Sequence, residues 1–426
     1  MNNKILILSI INIFSAIGYS LIAPLFPSLA SDKKIGENII GLIISCFPLS
    51  DILSTIFVPY LIFKFTRKKI FMFAAILEGS CTILYGFLKY FNNFYIFLFF
   101  SILTRILHGT GAGITSTLVY SLGSTLSESN EIPQSLAILE MAWCLGITFG
   151  PVLGSILFHF GGYSLPFWIL GMFFLISIFL IKNLNLENIR KNEKIFFKNF
   201  IEYFKFWPMI ITSFSLIIYV IANVYYFPSL TKHLRTKWNF SVEMSSLMFI
   251  IPMFVYLFSL FFVDAIVKKF GLFLNIFISL FLLIFAPPFI YPLEFLPQTY
   301  FSIIFGLMIL GLTSLFINVQ SLMEFGLIIR NLSPELNNEV CNDLASVIYN
   351  ILLDVGDFLG PILGGNISNK YGFKYSNIFV SFIGLTQTII FGYYFKNEII
   401  EEYFDGLKYV NQIEEFDKNG DYYKLE

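Results

Sequence analysis

Six acidic side chains lie inside stretches of sequence that are otherwise apolar: Asp51, Glu78, Glu140, Glu324, Asp354 and Asp357. One basic side chain, Arg105, does the same. A charge in such surroundings must be paired, hydrogen-bonded or neutralised, and by default it marks a functional site. Six acids against one arginine leave negative charge to be met by protons or by a cationic ligand. Burial disfavours the charged form of a carboxyl, so such a group can take a proton at one face of a membrane and release it at the other. Exchange of a proton for a cation then needs only that the two compete for one site. Glu140, Glu324 and Asp51 are the best candidates to carry cation or proton, and Arg105 to organise the carboxylates. Asp354 and Asp357 flank Gly356 and, three residues apart, share adjoining helix faces. Glu78 reads instead as a lipid-side snorkelling residue or a member of a local pair. His108 reads as a hydrogen-bonding helix contact rather than a titrating group. Tyr19, Tyr225, Tyr226 and Tyr349 have the chemistry for cation–π contacts, although among 23 tyrosines most pack or sit at the interface.

The elements that hold these residues are long apolar runs. Runs of spanning length fall at about 4–28, 39–63, 70–89, 94–126, 132–158 and 164–182, then at 208–231, 242–267, 272–291, 299–329, 340–368 and 374–395. The chain thus divides into an amino-terminal six-helix half (1–182), a linker (183–207), a second six-helix half (208–395) and a tail (396–426). A charged fraction of 13%, against about a quarter in ordinary soluble proteins, and a mean hydropathy of +0.76 identify an integral membrane protein. The first run is too long for a cleavable signal peptide and lacks a small-residue cleavage pattern, so it reads as the first membrane helix. The linker mixes Lys182, Arg190, Lys191, Lys194, Lys198 and Lys205 with Glu187, Glu193 and Glu202, the pattern of an amphipathic segment on a membrane surface. The tail carries nine acidic residues against four lysines and reads as solvated and partly disordered. Placing the amino terminus in the cytosol puts most lysines and arginines inside, with linker and tail, as the positive-inside rule requires. The group Lys232, Arg235 and Lys237 falls on the outer side, against that rule.

One stretch occurs twice. Gly146, Gly150, Pro151, Gly154 and Gly162 each recur 210 residues later, as Gly356, Gly360, Pro361, Gly364 and Gly372. Glycines spaced by four lie on one helix face, where a neighbouring backbone can approach closely, and the proline bends the helix it interrupts. Two similar halves therefore each use a bent, tightly packed helix at the same place. Internal duplication of this kind marks a secondary transporter whose substrate site lies between the repeats.

Arg105-x-x-His108-Gly109-x-Gly111-Ala112 resembles the helix 4 motif of the major facilitator superfamily, with His108 where glutamine is usual. Gly146-x-x-x-Gly150-Pro151-x-x-Gly154 resembles the helix 5 antiporter motif of its drug:proton antiporter branches, with Ser155 replacing the final glycine. The stretches Tyr19 to Pro27 and Ile40 to Leu53 are similar to the vesicular amine transporter family, and most to its polyamine-transporting branch, where positions matching Asp51, Glu140 and Glu324 are acidic. The resemblance covers roughly residues 10–395. It implies an all-α membrane protein with the twelve-helix major facilitator fold, two pseudo-symmetric six-helix halves and alternating access by a rocking bundle. The loop from Pro59 to Lys69 keeps only the basic end, Arg67-Lys68-Lys69, of the superfamily's gate motif, and its aspartate is absent here and in the second-half copy ending Val267 to Gly271. Ser15 and Asn350 stand where the monoamine branch carries aspartates, which makes monoamines the poorer substrate class.

The expected function is proton-coupled antiport of organic cations, polyamine-like or drug-like, by a monomer in a vesicular, vacuolar or plasma membrane. Two other readings stay open: export of another amphiphilic solute, and a receptor or assembly protein that keeps the fold without transport. A net charge of −1 argues against a nucleic-acid binder. There is no phosphate-binding loop and no metal-spaced His/Cys cluster, so neither an enzyme, a cofactor nor a bound metal is expected. Cys46, Cys81, Cys144 and Cys341 are far apart and read as small packing residues. Asn239-Phe-Ser241 is a glycosylation sequon in a loop expected outside.

Overall fold

A computed structural model describes residues 3–125, 132–184, 203–262, 266, 269–294, 296–333 and 338–405. The linker between 185 and 202 and the tail beyond 405 lie outside these residues, and with them most of what the sequence suggested for both segments. The described part of the tail, Lys396–Asp405, is a helix rather than irregular chain.

Among the described residues the structure is helical throughout, and twelve helical segments are long and apolar enough to cross a membrane. The first half comprises α1 (Asn3–Ser20), α2 (Ile22–Asp32), α3 (Glu37–Lys64), α4 (Arg67–Phe87), α5 (Phe94–Thr125), α6 (Ile132–Gly161) and α7 (Ser164–Asn183). The second comprises α8 (Trp207–Val224), α9 (Leu230–Trp238), α10 (Val242–Leu247), α11 (Ile250–Ser259), α12 (Phe273–Ile290), α13 (Tyr300–Leu332), α14 (Asn338–Tyr371) and α15 (Phe373–Tyr394), followed by α16 (Lys396–Asp405). Exposed Phe99, Phe173, Phe179, Phe305 and Phe382 give the outer faces the apolar surface that a bilayer covers.

Prolines punctuate the runs. The first run is two helices in one span, broken at Leu21, because Pro24 has no N–H to give the Ser20 carbonyl. Pro252 does the same to Met248, and the eighth run breaks between α10 and α11. The seventh run ends as a helix at Val224, seven residues before its apolar stretch does, since Pro228 bars the helical conformation for Phe227 before it. Asn239 closes α9 in a left-handed conformation (φ 53°) that asparagine tolerates well, and Ser241 then caps α10 through the Met244 N–H.

The duplicated motif is visible atom by atom. A side chain at Gly146 would lie 2.5 Å from the Ala16 Cβ and 2.6 Å from the Ile13 carbonyl; at Gly356 it would lie 2.5 Å from the Val220 Cβ and 3.1 Å from the Ile217 carbonyl. Gly154 meets Leu21 and Gly364 meets Tyr225 in the same way. Each half therefore stacks its glycine-rich helix on its own first helix with the same register. The last members of the repeat, Gly162 (φ 66°) and Gly372 (φ 96°), both take the positive φ that ends α6 and α14.

Packing divides the chain into two compact units. The first contains Met1–Asn192, Tyr225–Met253 and Asp357–Phe373, and the second Glu193–Val224, Phe254–Gly356 and Lys374–Glu426. Two buried clusters fill the first unit, one around Leu8, Phe71 and Leu139, the other around Phe26, Tyr85 and Phe167.

Candidate functional site

In the first unit, four carboxyl groups within membrane helices are met by hydroxyls. Asp51 on α3 is half-buried, and the Thr55 hydroxyl lies 3.3 Å from its Oδ1. Asp357 on α14 accepts from the Tyr19 phenol at 3.0 Å and lies within electrostatic reach of Asp51. Glu140 on α6 faces the Tyr120 phenol of α5. Glu78 on α4 is fully enclosed, with Oε2 accepting from Ser15 of α1 at 2.7 Å and Oε1 from Thr115 of α5. Among the described residues none of the four has a lysine, arginine or histidine within 4.0 Å. Glu78 therefore does not snorkel toward lipid: helix packing turns it inward, and its local partners are hydroxyls.

Arg105 departs from expectation as well. No described carboxylate lies within ion-pair distance of its guanidinium, so it does not organise the acids by direct contact. It is 1% exposed, sits 4.5 Å over the Phe47 ring and donates at 3.4 Å to the Ile44 carbonyl, both on α3. His108, one turn on, meets Phe47 edge-on at 5.1 Å. Arg105 and His108 thus lock α5 to α3, with Gly109 pressed against the Phe47 carbonyl and Ser50.

In the second unit Glu324 on α13 is 1% exposed and accepts from the Thr212 hydroxyl of α8 at 2.6 Å. The same helices are joined farther along by Tyr219 to Ser314 at 2.7 Å and Asn318 to Tyr219 at 3.2 Å, while Gln387 of α15 reaches Ser215 at 2.9 Å. Asp354 on α14 belongs to this unit and is half-buried, as is Tyr349. Tyr225 and Tyr226, in the first unit, are buried against one another at 5.5 Å, in a packing role.

A further cluster in the first unit joins two cations noted in the sequence to acids that were not. Glu37, at the start of α3, is 8% exposed and accepts from Lys232 Nζ at 2.7 Å and from the Ser229 hydroxyl. Arg235, one turn on from Lys232, reaches Asp32 at 3.0 Å and Ser28 at 2.9 Å. Beside them α3 and α14 cross with Gly41 against the Pro361 carbonyl and Gly365 against the Glu37 carbonyl. Two of the three cations that run against the expected orientation, Lys232 and Arg235, are thus partners of acids in the first half. The signal was the breach of the rule itself.

Two six-helix halves built on one repeated register, with carboxyl groups held inside their spans, define a membrane carrier. The Major Facilitator Superfamily profile matches residues 8–332, and the chain belongs to that family. It is an integral multi-pass membrane transporter and not an enzyme. The MFS-type transporter SLC18B1 of Rattus norvegicus is 26% identical over 379 residues, covering 84% of this chain and 78% of the relative. Multidrug resistance protein 2 of Bacillus subtilis is 24% identical over 183 residues, 42% of this chain and 44% of the relative. The crystal structure of the nucleoside transporter NupG superposes with a TM-score of 0.72 at 13% identity, over 93% of this chain and 100% of the other; this likeness speaks for the fold alone.

Proposed function

We propose that this transporter exchanges protons for organic cations, polyamine-like or drug-like, by alternating access. The observation that carries the reading is that Asp51, Glu78, Glu140 and Asp357 lie within membrane helices with hydroxyl partners and, among the described residues, no cation within 4.0 Å. Hydroxyls satisfy a carboxyl in either protonation state, whereas only a proton or a bound cation removes its charge. Glu140, Glu324 and Asp51 carry cation or proton in this reading, with Asp354 and Asp357 as further acids of the pathway. Arg105 holds α5 against α3. Both termini face the cytosol, the membrane is vesicular, vacuolar or plasma, and the monomer is the working unit. The names of the rat and Bacillus relatives agree with transport of this general kind.

The test is uptake of labelled spermidine and a panel of organic cations into proteoliposomes with an imposed pH gradient, wild type against Glu140→Gln. Gradient-driven uptake in the wild type, reduced at least about tenfold in the variant, is expected, since removing the charge forfeits the binding energy of an interaction worth about 1.5–3 kcal/mol. Failure of every cation to move under either gradient polarity would overturn the reading.

A further inference from the structure

We propose that Glu78 is a proton-binding site that loads and unloads during the transport cycle. Three helices build its enclosure: Ser15 of α1 and Thr115 of α5 each donate to one carboxyl oxygen, and α4 supplies the acid. Gly111 of α5 is what admits it, because a side chain there would lie 2.7 Å from the Glu78 Cγ and 3.2 Å from the Ala74 carbonyl. Two residues along α5, Gly113 does the same for Asp51, whose Oδ1 would lie 2.6 Å from a Cβ at that position. Helix α5 thus passes between two acids, with a glycine opposite each.

The titratable and charged groups around Glu78 are Asp51 on α3 and Cys81 on its own helix, with His108 and Arg105 farther along α5. On the remaining side α7 meets α4 through Gly171 and Leu175, which carry no charge. None of the basic groups is within 4.0 Å of Glu78. A carboxyl so enclosed, with no cation and a second acid within electrostatic reach, is neutral only while it holds a proton, and it becomes charged when its helices part enough to admit water. Each of its hydroxyl partners sits on a different helix from its own, so relative movement of α1, α4 and α5 changes the stability of the charged form directly. That is the coupling a proton carrier needs.

This inference rests on the proton-antiport reading for its role, but its first test needs no substrate. Infrared difference spectra of the purified protein in lipid, recorded on a pH change, should contain a protonated-carboxyl C=O band that disappears on alkalinisation and is missing in Glu78→Gln. Thr115→Val, which keeps the acid and removes one donor, should raise the frequency of that band, and this holds the test open should Glu78→Gln fail to fold. In proteoliposomes Glu78→Gln should lose at least about tenfold in gradient-driven uptake while substrate-for-substrate exchange stays within about twofold of wild type, a factor of ten being about 1.4 kcal/mol. An unchanged spectrum in both variants, or gradient-driven uptake equal to wild type in a folded Glu78→Gln protein, overturns the proposal. If the band behaves as expected and no cation is transported, the cation reading fails and the proton site stands.

Discussion

At the scale of single residues, the membrane acids and the water-facing titratable groups follow different logic. His233 on α9 lies outside the membrane spans, packed at 5.3 Å from the Phe373 ring. Burial, and secondarily Lys237, lowers its pKa from 6.5 to about 4. The unfolded chain therefore binds a proton there at pH values where the folded protein does not, so folding loses stability as pH falls from about 6.5 toward 4 and has its full value above that range. The difference amounts to roughly 3 kcal/mol at the acid end. His233→Phe should flatten this part of the stability profile, measured as the midpoint of thermal unfolding in detergent across the pH range; a profile as steep as wild type would contradict it. Glu78 shows the limit of reading residues one at a time. An acid near the middle of an apolar run has the same local sequence whether it faces lipid or interior, and only the approach of α1, which brings Ser15, and of α5, which Gly111 permits, decides the matter.

At the scale of elements, the contacts of α9 with α2 and α3 hold a part of the second half against the first. Glu37 is the keystone, since it accepts from both Lys232 and Ser229 while almost wholly buried. In a background with its four native cysteines replaced, a cysteine at position 229, where the native serine is 1% exposed, should react slowly with a membrane-impermeant maleimide. Adding Glu37→Gln should accelerate labelling about tenfold or more, as loss of a charged hydrogen bond shifts an opening equilibrium by about 1.5–3 kcal/mol. Equal rates would show that these pairs do not hold α9 against α2 and α3. Hydropathy made the spans legible because spanning length is a one-dimensional property. The breaks after Ser20 and at Met248, and the early end of α8, follow from Pro24, Pro252 and Pro228, but reading them requires knowing which carbonyl four residues earlier loses its partner. The tail's acidic composition pointed to solvated chain, while its first ten residues form a helix continuing closely from α15.

At the scale of the whole molecule, the duplication was fully readable: a period of 210 residues in glycine and proline became two helix pairs stacked in the same register. What could not be read was partnership. Arg105 and six acids invited a picture of charges neutralising one another, yet the arginine spends its charge on a phenylalanine face and a carbonyl, because α3 brings Phe47 and Ile44 to it and no acid. Conversely, Lys232 and Arg235 find acids about two hundred residues away. Those two pairs also bear on how the chain is made. In the proposed orientation, with the amino terminus in the cytosol, the loop after α8 would have to be carried across the membrane bearing three cations, against the bias that normally orients a nascent segment. The acids that compensate two of them, Glu37 and Asp32, would in that orientation already lie on the far side, in the half that the ribosome completes first. Residues 208–395 expressed alone, with a glycosylation tag in that loop, should therefore insert in both orientations, and co-expression of residues 1–207 should restore one. The first half, on this view, is a template for the topology of the second as well as its working partner.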